Sequence, residues 1–375
     1  MITREKLLEL IHNQNNMNIS LFLPMEIKGD LVKQNSLRFK NYVGKITQNL
    51  KNYGTDDRLI ESLIRPLKDM ISNDDFWQHQ KDGLAVYRNA NILEIFRCPV
   101  RFGEQIYIGP YFQITPLISL AQENQSFYLL TLNKNNIQLF KGDHDGLHPK
   151  LLENTPVSLE DYLKYDVHEK HQQTRSISGG AIFHGQSVTD EEKRKLINFL
   201  AKVESGVLNV IQKEPHPLML AGSEAIISHY RLVNHYNDLI ETPISVNPAS
   251  LDRNELWDEA LDILRPLITA SLQNAVSQFG DFQRRNQASY DLDKVVKAAH
   301  YAKVDRLFIA QDSRQWGKFD PDQDSVWVHT NENDHAYDLL NAAACKAMSN
   351  GSAVFILPGE MMPGHNPIAA TFRYQ

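Results

Sequence analysis

The sequence predicts a mixed α/β fold in three domains. Short β-rich apolar runs punctuated by Gly, Asn and Pro alternate with amphipathic helical stretches along the whole chain. A polar, glycine-containing segment, TRSISGGAIFHGQSVTDEEKRK over 174–195, runs directly into a long amphipathic helix. The last third alternates helix and strand in the order expected of a compact α/β/α layer. With 375 residues, 42% hydrophobic and 23% charged, the chain has globular composition and length enough for two or three domains.

The first domain is expected over 1–124. It opens with a helix over 3–12, a strand over 18–23 stopped by Pro24, and two long helices over 31–53 and 56–71. Strands over 84–87, 92–96 and 105–108 follow, separated by Gly83, Asn91, Gly103 and Gly109-Pro110, which suits a small mixed sheet. The middle domain, 125–250, begins with SFYLLTLNKNNIQLFKGD, two apolar runs flanking 133–136 in a hairpin pattern. Its long helix is marked by Leu196, Phe199, Leu200, Val203, Val207, Leu208 and Ile211 at helical spacing. Thr189 or Asp190 is placed to cap it, and Glu191 and Glu192 suit its positive end. A short strand over 218–220 then turns at Ala221-Gly222 into a helix at Ser223, the expected cap. In the third domain, 251–375, a long helix over 254–279 carries Pro266, where a kink is expected. Helix and strand then alternate around a polar acidic loop that contains Asp320, Asp322 and Asp324.

Composition narrows the function. No run approaches the length of a membrane span, and MITREKLLELIHNQ reads as a charged amphipathic helix and not as a secretory signal, so a cytoplasmic protein with no membrane partner is expected. Cys98 and Cys345 lack CxxC partners and are expected as buried thiols. The net charge of −7 argues against indiscriminate nucleic-acid binding, and no DNA partner is expected. Locally the balance reverses. Lys28, Lys33, Arg38, Lys40, Lys45 and Lys51 face the single acid Asp30 within 28–51, a surface that meets phosphates or a protein partner, or is simply a solvated helix face. Arg284-Arg285 at a helix end divides the same way between gripping phosphate and complementing the helix dipole.

Four stretches carry a resemblance: NISLFLPMEIKGDLVKQNSLRFKNYV, AIFHGQ, PLMLAGSEAIISHYRLVNHY and KVVKAAHYAKVDRLFIAQDSRQWGKFD. Together they look like a bacterial branch of the archaeo-eukaryotic class-1 release factor and Pelota superfamily, over essentially the full length. The resemblance implies a release-factor-like arrangement whose C-terminal domain is ribosomal-protein-like. It also implies occupation of the A site of the 70S ribosome, with 23S and 16S rRNA and elongation factor Tu as partners. No cofactor is implied. In that superfamily a Gly-Gly-Gln tip reaches the peptidyl transferase centre. Here Gly179-Gly180 is separated from Gln186 by five residues, and His184 puts bulk where a glycine belongs. Because the glycines let the backbone close on the ester and an adjacent N–H stabilises the oxyanion, the expected tip docks without cutting. Lys170 and Arg175 would then anchor the loop on phosphates. Gly179 and Gly180 would bend it, and His184, Gly185 and Gln186 would meet rRNA bases. A codon-reading Asn-Ile-Lys-Ser loop is missing, and Asn18-Ile19-Ser20 reads as strand.

The expected function is a ribosome hibernation factor, active in stress, that is not an enzyme. Two alternatives stay open: a rescue factor hydrolysing peptidyl-tRNA through Gln186, and a Pelota-like quality-control adaptor. Other motifs are weaker. His168-Glu169-Lys170-His171 is one residue short of the helical zinc spacing, and His144 and His148 add no motif. The acidic triplet lacks the glycine and the final Glu of a calcium loop, with Ser325 and Asn331 in those places. Trp316, Phe308, Trp327, Phe355 and Phe372 are assigned to core packing, Trp316 also being suited to stacking on a base.

Overall fold

The computed structural model describes residues 2–123, 126–143, 145–164, 188–330 and 336–374. The chain divides into two compact units, Met1–Glu123 with Ser271–Gln375, and Asn124–Ala270. The first is therefore discontinuous in sequence.

In that unit, α1 (Arg4–His12) is capped by Thr3, whose hydroxyl accepts from the Lys6 N–H. Strands β1 (Asn18–Pro24), β2 (Gly83–Arg88), β3 (Leu93–Cys98) and β4 (Gln105–Gly109) form an antiparallel sheet ordered β3-β2-β1-β4. Between β1 and β2 lie α2 (Gln34–Asn52), α3 (Asp57–Ile71) and α4 (Asp74–Gln78). The alternation along β1 sends Ile19, Leu21 and Leu23 into a core with Phe39, Val43 and Ile46 of α2 and Ile60, Leu63 and Leu67 of α3. On the opposite side Phe22, Ala85 and Tyr87 join a second core. That core also holds α1 and residues from the C-terminal segment, so the two stretches of this unit share one interior.

The C-terminal segment adds α5 (Thr115–Glu123) as its neighbour from the first stretch. Its own sheet comprises β9 (Ala288–Ser289), β10 (Val304–Ala310), β14 (Ala353–Leu357) and β15 (Ile368–Phe372) in the order β14-β10-β15-β9, with β10 and β14 parallel. Helices α10 (Leu292–His300) and α11 (Leu339–Ser349) pack against it through Val295, Ala299, Leu340 and Ala344. The acidic stretch expected as a loop is instead the turn of a hairpin, β11 (Trp316–Asp320) to β12 (Ser325–Val328), with β13 (Tyr337–Asp338) on its other side. Asp320 accepts from the N–H groups of Asp322 and Gln323, which satisfies the turn backbone and explains a run of acids where a strand pair reverses.

The second unit is a three-layer α/β structure. Strands β5 (Phe127–Asn133), β6 (Asn136–Asp143), β7 (Gly146–Lys150) and β8 (Leu218–Gly222) are ordered β7-β6-β5-β8, with β5 and β8 parallel. Both faces are covered. Tyr128, Leu130, Leu132, Leu218 and Leu220 pack on α6 (Val188–Ile211) and α7 (Glu224–Val233). Phe127, Leu129, Met219 and Ala221 pack on Leu256, Ala260 and Leu264 of α8 (Arg253–Ser277). Helix α8 runs through Pro266, and its later residues Leu272 and Ala275 belong to the first unit, together with Phe279 of α9 (Phe279–Arg284). Ser223 stands at the cap position of α7, but its hydroxyl makes no capping bond. A Cβ on Gly206 of α6 would collide with Thr155 Oγ1, so this glycine admits the 155 turn against the helix.

One polar seam joins the two stretches of the first unit. Asn341 Oδ1 accepts from the N–H of Ile114 at 2.8 Å, and its Nδ2 donates to Phe112 O at 2.8 Å. Asp338 Oδ2 accepts from Gln113 Nε2 at 3.0 Å, and Gln113 N–H donates to Ser20 Oγ at 2.9 Å. All four side chains are buried. Asn341→Ala removes the side-chain acceptor of the Ile114 and Thr115 N–H groups and leaves the Phe112 carbonyl with the weaker Cys345 thiol donor, and each buried orphan costs about 1–3 kcal/mol. A urea titration of the full chain is expected to show that loss in the transition of the first unit, with the second unit unchanged.

Candidate functional site

The stretch that the sequence singles out lies between β7 and α6. Lys170, Arg175, Gly179, Gly180, His184, Gly185 and Gln186 fall outside the described residues, as do His168 and His171. What the structure describes is the mount from which this stretch emerges.

Helix α6 is buried against the sheet through Leu196, Phe199, Leu200, Val203, Val207 and Ile211, whereas residues 191–194 are exposed. At about 1.5 Å per residue, residues 191–195 carry the helix about 8 Å ahead of Leu196. Ion pairing stiffens it, since Lys195 Nζ lies 2.9 Å from Glu191 Oε1 one turn away. At the other end of the gap, Lys164 pairs with Glu160 at 2.8 Å.

The orientation of α6 is held by a buried carboxylate that sequence reading passed over. Glu204, 2% exposed, accepts a hydrogen bond from the Tyr230 hydroxyl of α7 on Oε2 and another from the His235 N–H at 2.8 Å on Oε1. Burial first, then the neighbouring Glu204 charge, push the Tyr230 phenol well above its usual range, so it stays a donor. The signal was in the sequence: Glu204 lies one turn after Leu200 on the apolar stripe of α6, where a carboxylate needs a buried donor. Near the end of β6 Lys141 bonds Glu214, and this contact is the main cause holding the Glu214 carboxyl below its usual range.

The basic stretch of α2 is partly committed. Arg38 is turned inward: Nη1 donates to Pro24 O at 2.7 Å, and its guanidinium lies 3.2 Å from Glu104 and 3.8 Å from Glu26. It therefore ties α2 to β1 instead of offering a free charge. Lys33 and Lys40 are exposed, Lys33 lying 3.9 Å from the exposed Asp30. Lys45 sits over the Tyr42 ring, 3.9 Å from its centroid. No acid occurs in α2, so this helix keeps a basic, amide-rich outer face. Arg284 pairs with Asp281 one turn earlier, and Arg285 follows it at the end of α9.

The remaining candidates resolve as follows. Among the described residues no group of three or more His, Cys, Asp and Glu is placed to hold a metal ion. His148 pairs with Asp143 at 3.2 Å. Phe308 is buried and stacked on Phe355, as assigned. Trp327 is not core: it is 56% exposed, because on the edge strand β12 it pairs across from the exposed Lys318 and points outward. Cys98 and Cys345 are both buried, and burial pushes each thiol up to about 12. No described helix is long and apolar enough to cross a membrane.

The second unit is thus a mixed sheet with helices on both faces, and its long helix α6 follows a polar insertion. The sequence model of bacterial archaeo-eukaryotic release factor family 7 matches residues 127–266, nearly the whole second unit. Solved structures with likeness include the archaeal translation termination factor aRF1, 14% identical over 99% of this chain and 98% of that chain, with a TM-score of 0.23. Dom34 of S. cerevisiae, described as a translation termination-like factor interacting with Hbs1, is 11% identical over 78% of this chain and 80% of its own, with a TM-score of 0.38. Ribosome-bound archaeal Pelota, solved as a model with ABCE1, is 10% identical over 100% and 94%, with a TM-score of 0.40. No curated protein matches.

Tyr230→Phe leaves half of the Glu204 carboxylate without its donor inside the core. A loss of about 1–3 kcal/mol is expected in the unfolding of the second unit, and an unchanged denaturant midpoint would contradict the assigned role of Glu204.

Proposed function

We propose that the protein is a ribosome-associated translation factor of the release-factor type that occupies the A site and presents the 174–190 loop toward the peptidyl transferase centre. In this reading it blocks elongation without hydrolysis, as a hibernation factor, with elongation factor Tu as its delivery partner. The observation that carries the reading is the mount: a domain matched by a release factor family model, in which the exposed start of α6, residues 191–194, follows the polar insertion directly in the chain. The composition of the insertion supports the non-catalytic half. Gly179-Gly180 and Gln186 are not adjacent, so the close backbone approach and oxyanion N–H that ester cleavage requires are not encoded together. The same motifs resemble the hibernation factor Balon.

Each part of the proposed site has its task. Lys170 and Arg175 bind phosphates, Gly179 and Gly180 provide the bend, and His184, Gly185 and Gln186 contact rRNA bases. The exposed lysines at and near α2, Lys33, Lys40 and Lys45, bind small-subunit RNA by charge, a contribution that weakens steeply with salt. The decisive assay is co-sedimentation with 70S ribosomes, with and without elongation factor Tu, with peptide release from loaded P-site tRNA measured in the same tubes. Binding without release is expected, and Gln186→Ala is expected to cost only modest affinity. Release that collapses in Gln186→Ala would make the protein a rescue hydrolase. Absence of binding in every condition would overturn the reading.

A further inference from the structure

A cleft in the first unit is lined entirely by residues of that unit. It has a volume of about 330 Å³, at the small end of the roughly 300–1,000 Å³ typical of ligand pockets. It opens at the carboxyl ends of the parallel pair β10 and β14, the position where open α/β sheets tend to receive ligands. One wall is the β3–β4 connection with Arg101 and Phe102. The other is the turn after β10, with Gln311, Asp312, Ser313 and Arg314.

Two planar cations line a cleft with an aromatic floor. Arg314 is held in place by two contacts, its Nη2 donating to Gln105 Oε1 at 2.9 Å and its guanidinium lying 5.2 Å from the Tyr107 ring centroid. Arg101 donates to Glu26 Oε1 at 2.6 Å, which fixes its plane at the opposite rim. Phe102 packs edge-on against the buried Phe22, with centroids 5.2 Å apart, and is itself only partly covered. The charged side chains of the lining are these two arginines and Asp312, and with Arg101 paired to Glu26 it is Arg314 that faces a single anionic group beside a flat ring. Asp312 holds a left-handed backbone, φ 60°, at the lip. Thr115 and Ser313 add hydroxyl groups on the walls.

We propose that this cleft binds a nucleoside 5′-phosphate, either as a free nucleotide or as one unstacked residue of a single RNA strand. The base stacks on Phe102, the phosphate bonds to the Arg314 fork with Arg101 behind it, and Asp312 limits the charge that the cleft accepts. No residue of the 174–190 loop lines the cleft, so this proposal stands or falls separately from the A-site reading.

Calorimetric titration of the full chain with AMP, GMP, CMP and UMP, and with a single-stranded hexaribonucleotide, tests it. Arg314→Ala is expected to weaken binding about tenfold or more, as loss of a charge-assisted bond to phosphate does. Arg314→Lys keeps the charge but loses the planar fork and is expected to fall between the two. Asp312→Asn, which suits the left-handed backbone, removes a repelling charge and is expected to tighten binding several-fold. Opposite effects at neighbouring positions cannot come from general unfolding. Saturable binding of mononucleotides identifies a free nucleotide as sufficient, and binding of the hexamer alone identifies the strand as the source. Lack of binding by all probes, or binding indifferent to both Arg314→Ala and Asp312→Asn, would overturn the proposal.

Discussion

The amide of Asn341 reaches from α11 to the backbone of 112–114 and ties together the two stretches of the first unit. Its oxygen takes the Ile114 N–H, and its nitrogen gives to the Phe112 carbonyl. Beside it Asp338 caps α11 through the Leu340 N–H and accepts from Gln113. These bonds replace water for backbone groups that run through a nonlocal interior, where an unmet donor or acceptor is expensive. Apolar contact alone would tolerate sliding between the two stretches, whereas directional bonds at these positions permit one register. The nucleotide-sized cleft inherits its shape from this arrangement, since its walls come from both stretches.

In the second unit the equivalent constraint is double burial of a four-stranded sheet. With helices on both faces, β5 and β8 read as almost continuous apolar runs, and their alternation assigns successive residues to opposite layers. The sheet then serves as a rigid base for α6. Glu204 fixes the azimuth of that helix against α7, and Gly206 lets the 155 turn approach it. A helix held this firmly over its later turns can leave its first turns unsupported, and the polar insertion begins there.

Much of this was legible in the sequence where periodicity is strong. The stripe from Leu196 to Ile211 on α6, the hairpin around 133–136 and the strand at 18–23 follow from apolar spacing and turn residues alone. The β11–β12 hairpin was hidden because its turn is rich in acids, and Trp327 was misassigned because an edge strand exposes one side of an otherwise core-like pattern. Strand β7, Gly146–Lys150, carries a single strongly apolar residue on the buried side, too weak a signal beside the strands it follows. The seam at Asn341 and the inward turn of Arg38 are long-range matters. Neither an Asn on an alanine-rich helix nor an Arg in a basic run announces its partner, because the partner is set by the fold. The loop residues from Lys170 to Gln186 are known through composition and resemblance, and the structure contributes the helix that carries them.

In the proposed function α6 delivers the 174–190 loop to the peptidyl transferase centre. Because Cys98 and Cys345 are buried, with thiols pushed up to about 12, a single cysteine placed in that segment by Ser176→Cys is the reactive one for labelling. Hydroxyl-radical cleavage from an iron chelate tethered there, in complex with the 70S ribosome, reports its rRNA neighbours directly. The account predicts cuts in 23S rRNA clustered at the peptidyl transferase centre. Cuts confined to 16S rRNA, or to 23S rRNA remote from that centre, would contradict it.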